Sequence, residues 1–208
     1  SGTSGGHRLQ GMRALVAGAL GIALVGLCGV LVSLWGRGGS GRPEQRRVHA
    51  TRDADDEGEL VVFVVGMRVN AFWKVHRWLP VFLVAPRMVR ELRADEESGL
   101  LGSWSILSPP RTVGFVQYWD SFDSLREYAR DGDRLHRDAW TDYYRERDDG
   151  AVGIWHETYR VENHETVYNH TPPRGLGAAE GSDLVPASGD RETAAGRMDG
   201  ESGKSGGR

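Results

Sequence analysis

A histidine and a glutamate stand side by side in the segment GIWHETYRV, as His156 and Glu157. The same pair opens the H-E-x-x-H signature of zinc peptidases, in which two histidines four residues apart share one face of a helix. Here Arg160 takes the place of the second histidine, and the aromatic and β-branched neighbours favour a strand. We therefore expect no metal site of this type.

In a strand, neighbouring side chains point to opposite faces, so His156 and Glu157 cannot form one catalytic pair. An imidazole that faces a pocket can act in acid-base catalysis or orient a substrate. The alternative is a hydrogen-bonded, partly buried histidine of the core. His156 is one of two predicted catalytic residues.

The second predicted catalytic residue is His136, in the segment LHRDAWTDYY. On a helix, Trp140 lies one turn beyond His136, and Tyr144 lies one turn further. These three side chains could line a pocket for a flat apolar ligand, with Trp140 and Tyr144 as substrate-binding residues. The alternative is that they only pack in the core.

Two further groups complete the predicted substrate-binding residues. The first follows the first strand in NAFWKVHRWLP and supplies Asn70, Trp73 and His76, since loops held by a sheet often carry function. The same group could instead form a dimer contact. The second group lies in the strand TVGFVQYW and supplies Gln117 and Trp119.

Several classes of function lack their signatures. No nicotinamide or flavin fingerprint is present, and no G-x-S-x-G nucleophile motif occurs. The net charge of -3 argues against a nucleic-acid partner. The single cysteine, Cys28, cannot form a disulfide within the chain.

The elements that would position these residues follow a recognisable order. ELVVFVVGM is a strand, and Val81, Val84, Met88 and Leu92 recur at helical spacing after Pro80, which suits a first turn. A hairpin (100–107 and 112–119), a helix capped by Ser121, a second helical piece through residues 135–144 and the strand 152–161 complete the order.

The order β-α-β-β-α-β predicts an α+β, ferredoxin-like protomer whose first and third strands are central and whose helices cover one face. The first strand is apolar on both faces, from Leu60 to Met67. The helices can cover only one of them. We therefore predict a homodimer packed sheet to sheet.

The domain boundaries follow from the aromatic residues. Except for Trp35, every Phe, Trp and Tyr lies between Phe63 and Tyr168. We predict a folded domain at 59–179, preceded by a linker at 36–58 and followed by a disordered Gly-rich tail at 180–208.

The uncharged stretch 14–35, preceded by a disordered N-terminus at 1–13, is long enough as a helix to cross a bilayer core of about 30 Å. We predict a single-pass membrane anchor, and the flanking arginines place the domain in the cytoplasm. The alternative is a soluble cytoplasmic protein whose N-terminal stretch has been assigned to it wrongly.

Six segments, taken together in order, resemble a family of monooxygenases with the fold of the antibiotic-biosynthesis monooxygenases. They are GELVVFVVGMRVNAFWKVHRWLPVFLVAPRMVREL, GLLGSW, VQYWDSFDSLREYARD, HRDAW, VGIWHETYRV and YNHTPPRGLG. Some members of that family belong to fungal secondary-metabolite pathways. The resemblance covers about Glu59 to Ala178.

The resemblance implies a dimeric α/β barrel that oxygenates an aromatic or polyketide-like small molecule without a cofactor. In such chemistry the protein supplies a base, hydrogen bonds to the developing oxyanion and a dry pocket. Wider relatives bind haem through a helical histidine. That alternative would make His136 the first candidate for the haem ligand.

Two other functions fit parts of the sequence. One is a ligand-binding or interaction module on the same fold without catalysis. The other is an RNA-recognition motif, because RTVGFVQY (111–118) matches most of the third-strand signature of that motif. However, Val113 occupies a position where a stacking aromatic is needed.

Overall fold

The computed structural model describes residues 47–52, 59–131 and 150–202, with side chains up to residue 199. In chain order the strands are β1 (Arg47–Arg52), β2 (Leu60–Val69), β3 (Leu100–Ser108), β4 (Thr112–Trp119), β5 (Val152–Val161), β6 (Tyr168–Asn169) and β7 (Ser182–Pro186). The α-helices are α1 (Val75–Ala94), α2 (Phe122–Arg130) and α3 (Ala194–Ser202), and short 3-10 helices cover Gly175–Ala178 and Gly189–Arg191.

Four strands form the main antiparallel sheet, in the order β3-β4-β2-β5. β2 and β4 are therefore central, and β5 lies at an edge. The prediction of a ferredoxin-like arrangement with the first and third strands in the middle is confirmed. The apolar run of β2 fits this central place, because its odd-numbered residues pack against the helices and Leu60 on the opposite face is also buried.

α1 begins at Val75, and Pro80 and Pro86 both lie inside it. The prediction that Pro80 stands in the first turn was therefore wrong. Burial outweighs the cost of the two prolines, because Trp78 is completely buried and its indole Nε1 donates to the Phe72 carbonyl at 3.0 Å.

α2 begins after Ser121, whose hydroxyl accepts a hydrogen bond from the backbone N–H of Ser124 at 3.1 Å. This confirms the predicted cap. The Glu59 carboxylate accepts a second backbone N–H, from Phe122, at 3.0 Å. The helix start is thus tied to the start of β2.

The core lies between the sheet and the helices, in two clusters. At one end, Trp78 and Phe82 of α1 pack on Met67 and Val69 of β2. At the other end, Leu125 and Tyr128 of α2 pack with the completely buried residues Val61 and Trp119, together with Leu92. We call this face of the sheet the helix side and the other face the open side.

The open side is partly covered by the chain itself. Leu176 and Ala179, which follow β6, pack on Leu60 of β2. Beyond them β7 pairs with β1 from Val48 to Arg52, and β6 pairs with the other edge of β1, so these three strands form a second sheet in the order β6-β1-β7.

The prediction of a disordered tail was therefore wrong for the described residues after 180, and the predicted linker contains β1. A segment such as SDLVP buries little apolar area, so composition alone does not reveal it as a strand. Its stability comes from pairing with a distant strand. Arg197 of α3 adds an ion pair with Glu165 at 2.7 Å, and its side chain is only 4% exposed.

No helix within the described ranges is long and apolar enough to cross a membrane. The predicted membrane span at 14–35 lies outside these ranges, as do His136, Trp140 and Tyr144.

Candidate functional site

His156 lies on the helix side of β5. Its Cα pairs with Val65 of β2, and its ring stands against Phe63 with a centroid distance of 5.6 Å and an angle of 41° between the planes. Glu157 pairs with Val64 and points to the open side. The predicted separation of His156 from Glu157 is confirmed.

The alternative interpretation, a hydrogen-bonded and partly buried histidine of the core, was wrong, because the His156 side chain is exposed. Within the described part of the chain it makes no hydrogen bond, and its recorded contact is the ring of Phe63. An imidazole held at one face by an aromatic ring, with its nitrogens not engaged by described groups, can accept a proton from a bound molecule.

Gln117 lies on the same side of the sheet, on the strand beyond Phe63. Its Cα pairs with that of Phe63, and the side chain is only 6% exposed. Its Oε1 atom accepts a hydrogen bond from the indole Nε1 of Trp119 at 3.2 Å. Among described groups its Nε2 atom donates to none.

The three side chains follow one another across the sheet. Gln117 is on β4, Phe63 on β2 and His156 on β5, and neighbouring strands lie about 4.8 Å apart. His156 is displaced by two residues along β5, because Thr158 is the residue that pairs with Phe63. The two polar residues are therefore about 12 Å apart at the backbone, on the two strands that flank Phe63. A planar molecule over Phe63 could contact a hydrogen-bond donor at one edge and an imidazole at the other.

The predicted substrate-binding residues Asn70, Trp73 and His76 do not join this group. Asn70 is exposed and donates to the Gly150 carbonyl at 3.0 Å, so it ties the end of β2 to the start of β5. Trp73 is 63% exposed before α1, and His76 is exposed at the start of that helix. The structure separates all three from the middle of the helix side.

Trp119 is completely buried and packs against Tyr128, with ring centroids 5.8 Å apart. A ligand cannot reach its ring. The prediction that Trp119 binds substrate directly was wrong, because α2 covers this end of the sheet.

Sequence reasoning missed the part played by Phe63. We assigned it only to the apolar first strand, and its contact with His156 depends on the register between β2 and β5. It also missed Arg160, whose Nε atom lies 2.8 Å from Glu59 and whose guanidinium stands over the ring of Phe122. No local signal in the sequence pairs Arg160 with a residue so far away.

On the open side, the Tyr159 hydroxyl donates a hydrogen bond to the Glu157 carboxylate. This hydrogen bond, followed by the nearby negative charge, raises the pKa of the Tyr159 phenol. Because the pair is exposed and faces away from His156, it contributes nothing to the helix side.

The described residues offer no alternative centre. A cavity of about 650 Å³ beside α2 has a charged lining and includes none of the predicted site residues; the lining is Asp123, Arg126, Glu127, Arg130 and Asp131. Within the described ranges no cluster of His, Cys, Asp or Glu could hold a metal ion.

The structure contradicts the interpretation as an RNA-recognition motif. Val113, at one stacking position of the signature, packs into the core beneath α1. Phe115 is two residues further along β4, points to the same side and pairs with Val65. The matching positions thus face the helices, where RNA bases could not stack on the sheet.

A family model described as "Monooxygenase af470-like" matches residues 60–176, which is more than half of the chain. Monooxygenase af470 of Aspergillus fumigatus is 30% identical over 142 residues, which cover 60% of this chain and 47% of that protein. The chain therefore spans about half the length of this relative.

Two solved structures give the range of structural similarity. SnoaB from Streptomyces nogalater, a cofactor-independent oxygenase, has 12% identity and a TM-score of 0.37 over 51% of this chain and 96% of its own. Aldoxime dehydratase in complex with butyraldoxime has 15% identity and a TM-score of 0.47 over 78% of this chain and 44% of its own. The match of the family model settles the relationship: the chain belongs to the monooxygenase af470-like family, as its six sequence segments predicted.

Proposed function

We propose that the protein is a monooxygenase that oxidises an aromatic or polyketide-like small molecule without a cofactor, on the helix side of the sheet. The observation that carries the proposal is the placement of His156 and Gln117 at opposite edges of Phe63 in a chain of this family.

The chemistry begins with proton removal. His156 takes a proton from an acidic O–H or C–H group of the substrate and leaves an electron-rich anion. The anion reduces molecular oxygen itself. A CH₂ group becomes a carbonyl, one oxygen atom enters the product and the other leaves as water, so the substrate supplies all of the electrons.

Gln117 and Phe63 serve the same step. The Nε2 atom of Gln117 donates hydrogen bonds to the negative oxygen of the substrate, and Phe63 supports the plane of its ring. His136, Trp140 and Tyr144 remain proposals for the same pocket.

The protein acts as a homodimer in this proposal. The part of the open side that Leu176 and Ala179 do not cover includes Val64, Ile106 and Val116, which are only partly buried. A second copy of the chain, packed on this surface, would bury them.

The enzyme is tested by oxygen uptake with a panel of phenols and quinols. We expect the His156→Ala variant to lose about a hundredfold or more in turnover, the range for a general base. Glu157→Gln is the matched control, because Glu157 is next to His156 on β5 but its side chain points to the open side. This variant should retain the wild-type rate. Equal rates for the two variants would exclude His156 as the base.

The absence of a cofactor is tested by the absorption spectrum of the purified protein. We expect no Soret band, and addition of a chelator should leave oxygen uptake unchanged. A Soret band that disappears in the His136→Ala variant would instead establish the haem alternative.

A ligand-binding module without catalysis is the second candidate. It is favoured by the burial of Trp119 and by the outward position of Trp73. Fewer of the predicted substrate-binding residues are therefore available to a catalytic site. Binding of quinols without any oxygen uptake would establish it.

A further inference from the structure

The hydrogen bond between Trp119 and Gln117 fixes which end of the amide faces outward. An indole N–H can only donate, so its partner at 3.2 Å must be the amide oxygen. The amide nitrogen, with two N–H donors, therefore points away from Trp119. This orientation follows from chemistry and does not depend on the assignment of the amide atoms.

The indole itself has little freedom to move. Trp119 is completely buried beside Val61 and Leu125, and its ring contacts that of Tyr128. Gln117 is held at the same time by its own burial. The pair thus fixes the amide nitrogen on the side of Gln117 that faces away from the indole, on the strand beside Phe63.

We infer that Trp119 is a positioning residue that, through Gln117, makes the helix side selective for the ionised form of a phenol or enol. This inference rests on the proposed function, because it concerns the ligand of the same site. It changes the role of Trp119 from substrate contact to control of the ligand's charge state.

The selectivity follows from the donors. A negatively charged oxygen accepts an N–H group of this amide, and such charge-assisted bonds are about twice as strong as neutral ones. A neutral hydroxyl must also find an acceptor for its own proton, which this amide does not provide. The amide therefore favours the anion over the neutral molecule.

The charges of the neighbouring strands agree with this selectivity. The helix-side residues of β4 are Val113, Phe115, Gln117 and Trp119, and those of β5 are Val152, Ile154, His156, Thr158 and Arg160. None of these is acidic. Glu59 lies at the end of β2 and is paired with Arg160.

α1 contributes two charged groups that the test must separate from the amide. Arg93 donates to the carbonyl and hydroxyl oxygens of Ser103, the β3 residue that pairs with Gln117, and its charge favours an anion, so the expected loss of preference is measured in variants that keep Arg93. The second group is a carboxylate. Glu91 is partly buried, and its Oε2 atom is enclosed without a hydrogen bond. Its charge could disfavour an anion, whereas Gln117 favours one. The Glu91→Gln variant therefore belongs in the experiment.

The probe is 4-nitrophenol, whose neutral and ionised forms absorb differently. Binding to the full-length protein is measured without oxygen at two pH values, one on each side of the ionisation of the probe, so that no turnover is needed. The readout is the ratio of the affinities for the ionised and neutral forms. 4-Nitroanisole, which cannot ionise, corrects for titration of the protein itself.

We expect the wild-type protein to prefer the ionised probe, and Gln117→Leu to lose about tenfold or more of that preference. Gln117→Glu keeps the acceptor for Trp119 but presents a carboxylate oxygen, so its preference should change to the neutral probe. Trp119→Phe should fall between the wild type and Gln117→Leu, because the amide is then free to turn. In a protein that carries Glu91→Gln, the Gln117→Leu substitution should reduce the preference for the ionised probe by the same factor as in the wild type.

An unchanged ratio in Gln117→Leu, or a wild-type ratio in Trp119→Phe, overturns the inference. If Trp119→Phe does not fold, the opposite signs expected for Gln117→Leu and Gln117→Glu decide the matter. The proposed function can fail separately. If the wild-type protein prefers the ionised probe but takes up no oxygen, only the proposed enzyme activity is refuted. If it takes up oxygen but Gln117→Leu has the wild-type affinity ratio, only the inference is refuted.

Discussion

At the residue scale, the helix side gains its polarity from few side chains. His156 can accept a proton, Gln117 donates hydrogen bonds, and Phe63 separates them with an aromatic face. Acid-base chemistry needs such a division, because a base and an oxyanion donor must reach different atoms of one molecule. The open side differs because its polar pair is already satisfied: the Tyr159 hydroxyl donates a hydrogen bond to the Glu157 carboxylate.

The facing of His156 was predictable from the sequence, because side chains alternate along a strand. The difference between Gln117 and Trp119 was not. Both residues point to the helix side of β4, because they are two positions apart. Only the position of α2 over Trp119 makes Trp119 a core residue and leaves Gln117 available to the site. The depth to which a helix covers a strand depends on packing between distant residues, which a local pattern does not contain.

Gly114 is a residue at which the sheet admits no side chain. A Cβ atom there would contact the backbone carbonyl oxygen of Val65 on the neighbouring strand, and a backbone atom in a central strand cannot easily move. We expect Gly114→Ala to lower the free energy of unfolding by about 2 kcal/mol or more, measured by urea denaturation.

Gly153→Ala is the matched control for Gly114→Ala. Its Cβ would meet its nearest neighbour, the Asn70 side chain, at an ordinary 3.5 Å. Equal stabilities of the two variants would contradict the close approach of β4 to β2.

At the element scale, the regular strands were predicted well and the C-terminal elements were not. β3, β4 and β5 were predicted to within one residue, because β-branched and aromatic runs end at turn residues. β7 and β1 are short and polar, and each forms a strand because the other is present. Pairing between segments at opposite ends of the domain leaves no periodic signal.

The segment after β6 is held by Tyr168. Its hydroxyl donates to the Arg174 carbonyl at 2.6 Å and accepts from the Gly177 N–H at 3.0 Å. Burial raises the pKa of the Tyr168 phenol, with a smaller contribution from Tyr118, although the Gly177 hydrogen bond acts in the opposite direction. The donated bond requires the neutral phenol.

We therefore expect Tyr168→Phe to destabilise the protein by about 1 kcal/mol for the lost hydrogen bonds. Since the folded pKa is raised, the contribution of the phenol is fully present below pH 10.0, the ordinary value. It is lost as the pH rises through the raised pKa. Urea denaturation of both proteins across this range should give a difference in stability that shrinks with pH, and a constant difference would contradict the assignment.

At the scale of the whole molecule, the two faces of the main sheet have different coverings. Helices cover the two ends of one face, whereas the other face is shared between the chain's own C-terminal segment and a surface that remains partly exposed. The sequence predicted that a second subunit covers the open side. It did not indicate that Leu176 and Ala179 would occupy one end of it, which leaves a smaller surface for the dimer.

Ile106 and Leu107 test the dimer as a matched pair on β3. Ile106 pairs with Gly114 on the open side, and Leu107 is 47% exposed on the helix side. We expect light scattering to give a dimer mass for the wild type and for Leu107→Arg, and a monomer mass for Ile106→Arg, because a buried charge opposes association. A wild-type monomer would contradict the dimer outright.

The pairing of β1 with β7 also sets a condition on synthesis. Val48 pairs with Pro186, so the first described strand leaves the ribosome long before its main partner exists. Until then the backbone hydrogen-bonding groups on the β7 edge of β1 have only water to bind. The last described elements thus complete a sheet begun by the first, and a chain released before residue 182 would leave the β7 edge of β1 unpaired.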